Sequence, residues 1–296
     1  MKSDEPYRLG NYEVHKAWEG FASIRQISSG EIMHSRTDPM EEARRLYVEQ
    51  AGLAERAHQC AAEPLILWDV GLGAAANAMA AIECYENADA QRSLQVISFE
   101  NDLDPLRLAA ANLKLFPYLR AELIDAILAA SEWRANDGKL IWKLLQGDFA
   151  TTMNQAPAPD VIFYDVFSPN TSPQLWRTAL FRELFGVCRN RVTELFTYTC
   201  STANRAALFA AGFFVARGRR AGEKIETTIA MTPAAFHRDP AKRDLLGLDW
   251  LRRWERSAAK FPGDVAPNER SAFEKIIRDH EQFRNLPSTE RLPSTT

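Results

Sequence analysis

A chain of 296 residues, 46% of them hydrophobic, can bury one large core, and its formal net charge of -3 argues against a surface coated with basic residues for nucleic-acid binding. No stretch reaches the roughly 18 uninterrupted apolar residues that a membrane span needs, and no apolar signal region follows Met1. We therefore expect a soluble, cytoplasmic protein without a membrane partner. The composition leaves the oligomeric state open.

Residues 1–52 are predicted to form a hairpin followed by a capping helix. The alternation of apolar and polar residues in "FASIRQISSGEIMHS" predicts a short hairpin that turns at "SSG". In "DPMEEARRLYVEQAGL", Asp38 is a candidate N-cap, Pro39 occupies the first helical position, and Glu41 stands three residues after the cap. This capping-box arrangement satisfies free backbone N–H groups, so it predicts that a helix begins here.

From Leu65 onward, short apolar runs alternate with longer helical patterns within a predicted core of residues 53–232. Each run is apolar enough to be a strand buried on both faces, and each interval is long enough for a crossover helix. The runs are "LILWDV", "LQVISFE", "LIWKLLQGD", "DVIFYDVF" and "ELFTYTC". We predict an α/β fold, Rossmann-like, with a mostly parallel sheet. The final runs, in "GFFVARGRRAGEKIETTIAMT", predict that an antiparallel hairpin closes it.

Residues 233–284 are predicted to form a C-terminal helical extension, followed by a disordered tail over residues 285–296. Trp250 and Trp254 lie four residues apart and therefore on one helical face, which favours packing against the main domain. Between Arg217 and Lys260 there are eleven Lys and Arg against six Asp and Glu. This basic stretch is interpreted as either a solvated charged face or a phosphate-facing patch.

The cysteines indicate neither a metal site nor a redox pair. They carry no paired C-x-x-C spacing, so a zinc knuckle is not encoded. We expect four reduced, buried thiols and no bound metal. The residues concerned are Cys60, Cys84, Cys188 and Cys200.

The predicted strands carry polar residues at their carboxyl ends, the edge at which an open parallel sheet binds ligands. The strand "LILWDV" contains Asp69 and runs into Gly71 and Gly73, whose missing Cβ atoms let the backbone approach a ligand at the start of the next helix. Glycine pairs also occur in turns that serve packing alone. The loop by itself is therefore compatible both with ligand binding and with a turn that serves packing alone.

Three further strands end in carboxylates. Glu100 ends the second strand and can accept the hydroxyls of a ribose. Asp148 follows the third strand, where an adenine amino group could donate to it, and Asp165 follows the fourth. Because acids clustered at one edge repel one another, a positive or hydroxyl-rich ligand is expected between them.

S-adenosyl-L-methionine meets both conditions, since it carries a sulfonium cation, an amino-acid head group, a ribose diol and an adenine. NAD also fits the glycine loop and the acid on the second strand, but the carboxylates would repel its pyrophosphate. Charge therefore favours S-adenosyl-L-methionine as the cofactor.

Several motifs between Ile24 and Met231 resemble the methyltransferase domain of the bacterial MnmC-like family, the tRNA 5-methylaminomethyl-2-thiouridine-forming methyltransferases. They are "EIMHSRTDPMEEARRLYVEQAGL", "DVGLGAAAN", "ISFEND", the "GD" at Gly147 and Asp148, "LFTYTC" and "AAGF". The most specific is "VIFYDVFSPNTSPQLW", which is similar to the family's Asp-Gly-Phe-x-Pro segment with its downstream Asn, Pro and Trp. The resemblance does not include the flavin-dependent oxidase half of fused members, so we expect a methyltransferase without it.

The resemblance implies methyl transfer from S-adenosyl-L-methionine to a primary amine on a wobble-position uridine of tRNA. It implies that Asp165 is the catalytic residue, which orients the amine and accepts its proton, while Phe167 and Pro169 bind the substrate as an apolar wall. The implied partner is tRNA, contacted by the basic hairpin turn and the C-terminal helices. The implied cofactor-binding residues are Asp69, Gly71, Gly73, Asn77, Glu100, Asn101, Asp148 and Phe149.

The sequence departs from the family pattern at three places. Ala75 stands for the third glycine of the loop, Val166 stands for the glycine after Asp165, and "FTYTC" replaces "FTSAG". These departures leave the acceptor open. A small amine or polyamine would suit an acidic pocket, and a cofactor-binding module without catalysis is a third alternative.

Overall fold

The computed structural model describes residues 7–34, 36–221, 225–239, 241 and 243–284. The chain divides into two compact units, Met1–Ser172 and Pro173–Thr296. Within the described ranges, no helix is both long enough and apolar enough to cross a membrane. The predicted tail, residues 285–296, and part of the predicted basic turn, residues 222–224, lie outside the described residues.

The first unit begins with a three-stranded antiparallel sheet. Its strands are β1 (Arg8–Leu9), β2 (Tyr12–Lys16) and β3 (Ala22–Gln26). Strand β3 pairs with β2 along its whole length. After the predicted turn at "SSG", the returning chain meets β3 at an isolated bridge between Arg25 and Ile32. The predicted hairpin therefore contains one strand, β3, and the turn that follows it. The main partner of β3 is the preceding strand, β2.

The predicted capping helix is continuous from Pro39 to Ala51. Its segments are α1 (Pro39–Ala43), a π-helical turn (Arg44–Val48) and α2 (Glu49–Ala51). Asp38 is the N-cap, as predicted, and its carboxylate accepts the backbone N–H groups of Met40 and Glu41. Single π-helical turns inside α-helices are frequent at functional sites.

The centre of the first unit is a mostly parallel sheet. Its strands are β4 (Leu65–Val70), β5 (Leu94–Glu100), β6 (Glu132–Arg134), β7 (Leu140–Gln146) and β8 (Val161–Tyr164). They lie in the order β8, β4, β5, β7, β6, and only the edge strand β6 is antiparallel to its neighbour in this part of the structure. Chain order reverses at β4, so the carboxyl end of β4 is the expected ligand edge.

Helices connect these strands and cover the sheet. They are α3 (Leu53–His58), α4 (Ala76–Asn87), α5 (Asp104–Ala110), α6 (Ala121–Ala130) and α7 (Phe149–Thr152), with a 3-10 turn at Met153–Gln155. Aromatic rings fill part of the core: the ring centroid of Phe99 lies 4.9 Å from that of Trp68 and 5.1 Å from that of Phe149. Trp68 and Phe99 stand within two residues of the carboxyl ends of β4 and β5.

The second unit contains strands β9 (Glu194–Thr197), β10 (Phe214–Ala221), β11 (Ile225–Met231) and β12 (Asp244–Leu245). All neighbouring pairs among these four are antiparallel, and β10 with β11 forms the predicted hairpin. The helices are α8 (Thr178–Cys188), α9 (Thr202–Ala211), α10 (Pro233–Arg238), α11 (Leu248–Arg256), α12 (Arg270–Arg278) and α13 (Glu281–Arg284), with 3-10 turns at Pro173–Trp176 and Pro267–Glu269.

The two tryptophans of α11 belong to the core of the second unit. Trp250 and Trp254 are fully buried. The ring of Trp250 stacks on Phe283 at a centroid distance of 6.2 Å and lies 5.0 Å from the ring of Phe209. This contact network agrees with the packing interpretation of their four-residue spacing.

The prediction of four buried thiols is wrong for two of them. Cys60 and Cys200 are exposed, Cys84 is partly buried, and Cys188 is buried, with its thiol donating to the carbonyl oxygen of Leu184 at 3.1 Å. The exposed pair lies in connections that follow α3 and β9, and connections of this kind run over the surface.

Candidate active site

Gly71, directly after β4, packs against the backbone at the end of β8. Its N–H donates to the carbonyl oxygen of Phe99 at 3.0 Å, and its φ is +90°. A Cβ atom at this position would lie 2.5 Å from the carbonyl oxygen of Asp165 and 3.1 Å from Cγ1 of Val166. Glycine is therefore required for close packing, and this packing brings residues 71–75, the glycine loop, against the predicted catalytic acid.

Gly73 joins the glycine loop to the end of β5. The Gly73 N–H donates to Oε2 of Glu100 at 3.0 Å, while Oε1 of Glu100 accepts the N–H groups of Asn101 at 2.8 Å and Asp102 at 3.0 Å. Burial raises the pKa of Glu100 even though these three N–H groups favour its charged form. The backbone thus fixes the carboxylate, and Oε2 keeps a second lone pair for a ligand hydroxyl.

Ala75 replaces the third glycine of the family pattern and takes a glycine-like conformation. Its φ of +63° lies in the left-handed region, immediately before α4. Its N–H donates to the carbonyl oxygen of Leu72 at 2.7 Å, and its side chain is fully buried. The loop therefore keeps its left-handed turn, with a backbone strain of about 1–2 kcal/mol for an L-residue.

Asp69, in the middle of the sheet, is completely buried. Its Oδ2 accepts the hydroxyl of Ser98 at 2.7 Å, and that hydroxyl oxygen accepts the indole N–H of Trp142 at 2.9 Å. Within the described chain its Oδ1 has no hydrogen-bond partner. Burial raises the pKa of Asp69 to about 7, with Asp165 and Glu100 adding to the rise against the hydrogen bond from Ser98.

Asp165 directly follows β8, and two polar side chains act on its carboxylate. Nδ2 of Asn77 donates to Oδ2 of Asp165 at 2.8 Å, and the hydroxyl of Tyr47, from the π-helical turn, favours the charged form of the same carboxylate. Asn77 is buried, and its Oδ1 has no hydrogen-bond partner in the described ranges. Burial raises the pKa of Asp165, against the lowering effect of Asn77 and Tyr47. A carboxyl group whose pKa is raised is a stronger base than an ordinary carboxylate.

His34 and Glu42 form a largely buried pair in the electrostatic field of Asp165. Nδ1 of His34 lies 3.5 Å from Oε2 of Glu42. Burial lowers the pKa of His34, but Glu42, Asp165 and Asp38 together raise it above its usual value. His34 therefore keeps its positive charge to higher pH, and this charge opposes the rise in the pKa of Asp165.

Residues 166–172, the loop after β8, contain a hydrogen-bonded turn. The N–H groups of Thr171 and Ser172 donate to the carbonyl oxygen of Ser168 at 2.9 and 2.8 Å. Within this turn Phe167 is partly buried and Pro169 is exposed. The loop therefore places one aromatic and one pyrrolidine ring directly after the acid.

Asp148 and Phe149 lie at the end of β7. The N–H of Gly147 donates to the carbonyl oxygen of Glu100 at 2.8 Å, which brings the two strand ends together. Oδ1 of Asp148 accepts the N–H of Ala150 at 2.8 Å and caps α7, while Phe149 is buried. Asp148 thus has a helix-capping role that the sequence analysis did not foresee.

The residues around the glycine loop could hold S-adenosyl-L-methionine. Oδ1 of Asp69 and Oδ1 of Asn77 are buried acceptors that lack a partner in the described chain, and an amino-acid ammonium supplies the donors that they lack. Glu100 suits a ribose hydroxyl. A pyrophosphate would instead meet the three acids Asp69, Glu100 and Asp165, which agrees with the charge argument against NAD.

Comparisons with known proteins agree with this chemistry. The model of a family described as S-adenosyl-L-methionine-dependent methyltransferase matches residues 113–233. The chain is 30% identical over 251 residues to the tRNA 5-methylaminomethyl-2-thiouridine biosynthesis bifunctional protein MnmC of Ectopseudomonas mendocina (strain ymp). The chain belongs to the S-adenosyl-L-methionine-dependent methyltransferases. The predicted resemblance and cofactor are thereby confirmed.

The methyltransferase spans about a third of the length of the curated relatives that it matches. The alignment to the E. mendocina protein covers 78% of the methyltransferase and 36% of that relative. A second MnmC protein, from Stutzerimonas stutzeri (strain A1501), is 29% identical over 236 residues, which cover 76% of the methyltransferase and 35% of the relative.

A solved structure has the same fold. The crystal structure of MNMC2 from Aquifex aeolicus superposes with a TM-score of 0.69 at 22% identity and covers 91% of the methyltransferase and 84% of the Aquifex chain. This likeness confirms the predicted α/β, Rossmann-like fold with a mostly parallel sheet.

Several residues around Asp165 in this methyltransferase carry no recognisable sequence signal of their own. Tyr47 and His34 lie far from it in sequence, and an aromatic residue within a helical pattern is typical of ordinary core packing. Glu31, which binds the 166–172 loop, was also missed. The available signal was the family-like segment "EIMHSRTDPMEEARRLYVEQAGL", which contains all three residues but assigns them no role.

Proposed function

We propose that this methyltransferase transfers the methyl group of S-adenosyl-L-methionine to the primary amine of an aminomethyl group on the wobble uridine of tRNA. The observation that carries the proposal is the 2.8 Å hydrogen bond from Nδ2 of Asn77, on the helix after the glycine loop, to Oδ2 of Asp165. It links the donor side of the site to the acid expected to face the acceptor. Similarity to the MnmC proteins, whose name describes tRNA 5-methylaminomethyl-2-thiouridine biosynthesis, supports this acceptor.

The donor would be held by the strand ends and the glycine loop. Glu100 would accept a ribose hydroxyl through Oε2, and Asp69 and Asn77 would accept hydrogen bonds from the amino-acid head group. Asp148 would meet the adenine amino group through Oδ2, since Oδ1 caps α7. Phe149, buried beside Asp148, would form the floor of this end of the site. The bound donor supplies a methyl group activated by its sulfonium cation.

Asp165 would act on the acceptor nitrogen. Methyl transfer requires a neutral nitrogen lone pair held in line with the methyl group, so an ammonium must first lose a proton. The carboxylate of Asp165 can take up that proton, because burial raises its pKa above the usual value and so makes it a stronger base. The hydrogen bond from Asn77 fixes the carboxylate, which leaves its remaining lone pairs to orient the amine N–H groups.

His34 and Glu42 would balance the charge around this step. Asp165 carries a negative charge before it accepts the proton, and the His34 cation stabilises that form. Glu42 keeps His34 protonated. The His34 cation therefore opposes the rise in the pKa of Asp165, whereas the negative charge of Glu42 acts on Asp165 in the opposite direction.

Phe167 and Pro169 would form the apolar wall at the acceptor side. Both belong to the 166–172 loop, which follows the acid directly in the chain. Apolar rings at this place exclude water, and exclusion of water strengthens the electrostatic contacts of Asp165. They also restrict the nitrogen to the narrow range of positions from which it can attack.

The phosphates of tRNA would be contacted by basic residues of the second unit. Several cations of the basic stretch are already used, since Arg217, Arg243 and Lys260 form ion pairs with carboxylates of the same unit. On the exposed side of α11, Arg253 also pairs with a carboxylate, that of Glu226 at 3.8 Å, so Arg256 remains the better candidate for phosphate contact.

The proposal is tested by transfer of tritium from methyl-labelled S-adenosyl-L-methionine into bulk tRNA that lacks the terminal wobble methylation, followed by nucleoside analysis. The expected result is label in a methylaminomethyl uridine, with tRNA binding that weakens as salt increases. Donor binding by calorimetry without label in tRNA would contradict the proposal. Label in an added polyamine alone would move the acceptor to a small amine.

A further inference from the structure

Residues 31–34 follow the turn after β3 and contact three parts of the site. Glu31 binds the 166–172 loop, Met33 lies against Gly73, where an added Cβ would come within 3.0 Å of its Sδ, and His34 pairs with Glu42. One short segment of the N-terminal region therefore contacts the acceptor-side loop, the glycine loop and the surroundings of Asp165. Through these contacts, residues 31–34 are candidates for fixing the position of the 166–172 loop relative to the glycine loop.

The contact of Glu31 is the most specific of the three. Oε1 accepts the backbone N–H of Ser168 at 2.8 Å, and Oε2 accepts the Ser168 hydroxyl at 2.9 Å together with the hydroxyl of Thr171. Hydrogen bonds to a carboxylate are stronger than those between neutral groups. Three of them converge on the turn that flanks Pro169.

We propose that Glu31 is a positioning residue for the acceptor: by clasping Ser168 and Thr171, it holds the 166–172 loop in the conformation that sets Phe167 and Pro169 over the reacting amine. The inference rests on the proposed function, since it takes this loop as the acceptor wall. Glu31 need not touch the substrate. Its effect arises because a loop that is already ordered loses less conformational entropy when the acceptor binds, and because small displacements of a reacting atom slow transfer strongly.

The three hydrogen bonds that Glu31 accepts from Ser168 and Thr171, called the clasp below, predict a graded series of variants. In Glu31→Gln one oxygen can still accept the backbone N–H of Ser168, and the amide can donate to the hydroxyl oxygens, so neutral hydrogen bonds replace charged ones. In Glu31→Ala all three hydrogen bonds are lost. We therefore expect acceptor kcat/KM to fall in the order wild type, Glu31→Gln, Glu31→Ala, with a loss of about tenfold or more in the last.

The first readout is kinetic. In Glu31→Ala we expect the dissociation constant of S-adenosyl-L-methionine to stay within about twofold of the wild-type value while acceptor kcat/KM falls. The matched control is Glu41→Ala, which removes an exposed carboxylate ten positions away on α1 and should leave both quantities nearly unchanged. Loss of donor affinity by the same factor as acceptor kcat/KM would overturn the proposal, since it would indicate a general structural defect.

The second readout does not depend on activity. Hydrogen exchange of the ligand-free protein should be faster in peptides covering residues 166–172 of Glu31→Ala than of wild type, while peptides from β4 and β5 exchange alike. Unchanged exchange in the loop would overturn the clasp. If the wild-type protein transferred no methyl group to tRNA, the proposed function would fail, but this exchange experiment would still decide whether Glu31 orders the loop.

A double-variant cycle separates the clasp from unrelated effects of Glu31. Thr171→Val removes the hydroxyl that donates a hydrogen bond to Glu31 and nearly conserves the volume of the side chain. If the clasp acts as a unit, the combined variant Glu31→Ala and Thr171→Val should be little worse than Glu31→Ala alone. Fully additive losses in acceptor kcat/KM would contradict a shared role.

Discussion

Replacement of Gly71 by alanine should be among the most damaging single-methyl changes in the first unit. The new Cβ would lie 2.5 Å from the carbonyl oxygen of Asp165, a backbone atom that cannot rotate away. Its φ of +90° adds about 1–2 kcal/mol of strain for an L-residue. Overpacking of this kind typically adds a further 1–3 kcal/mol or so. The total is about 2–5 kcal/mol, which corresponds to a fall in Tm of about 4–20 °C for a unit of this size.

Gly30→Ala is the matched control for backbone strain. Gly30 also has a positive φ, +73°, but an added Cβ would meet nothing within 4 Å. Calorimetric melts of the two variants should therefore differ by the contribution of the clash alone. Gly71→Ala should also weaken binding of S-adenosyl-L-methionine, because the glycine loop, proposed to hold the donor, must shift away from Asp165. Equal losses of stability in Gly30→Ala and Gly71→Ala would refute the close packing of the glycine loop against Asp165.

Asp165→Asn should keep the affinity for S-adenosyl-L-methionine within about twofold while kcat falls by about 100-fold or more, because the amide cannot accept the proton. A loss of donor affinity as large as the loss of kcat would contradict the catalytic role of Asp165. Glu100→Ala should weaken donor binding by about tenfold or more in calorimetry, and unchanged affinity would exclude Glu100 from the donor site. Burial raises the pKa of Asp69 to about 7. Between about pH 4 and about pH 7 the folded state therefore retains a proton that the unfolded state has released, and the ligand-free protein should lose stability as the pH rises through this range. Urea titrations of Asp69→Asn should lack this component, and an unchanged pH slope would refute it.

The central strands could be predicted from the sequence almost residue for residue. The runs "LILWDV" and "LQVISFE" coincide with β4 and β5 because a strand buried on both faces must be a continuous apolar run. The short strands β1, β2, β6 and β12 were missed. Of the five residues of β2, Tyr12 alone is buried, so the period-two signal is too weak to identify the strand.

The strand-end residues of the candidate site could be predicted because parallel strands bring their carboxyl ends to one edge. Glu100 contacts Gly73, and Asn77 contacts Asp165, as expected for one shared site. Residues that reach the site from the N-terminal region could not be found in this way. Glu31 is 137 positions from Ser168, and no local pattern encodes that contact.

The interpretation of the acids needed the structure. In the sequence Asp148 is an unpaired carboxylate at a strand end, but its Oδ1 accepts the N–H of Ala150 and caps α7. The pKa of Asp165 likewise depends first on burial and then on the approach of His34, Asn77 and Tyr47, all of which follow from tertiary packing. The departure at Ala75 has a simple outcome, because alanine takes the left-handed conformation at that position.

The account is tested most directly by a competition between acceptors in one reaction. Methyl-labelled S-adenosyl-L-methionine would be mixed with the enzyme, tRNA lacking the terminal wobble methylation and a polyamine, and the label in each product would be measured by mass spectrometry. The account predicts label in the methylaminomethyl uridine of tRNA with wild-type enzyme and almost none with Asp165→Asn. Label that accumulates in the polyamine, or a tRNA product that forms equally well with Asp165→Asn, would contradict it.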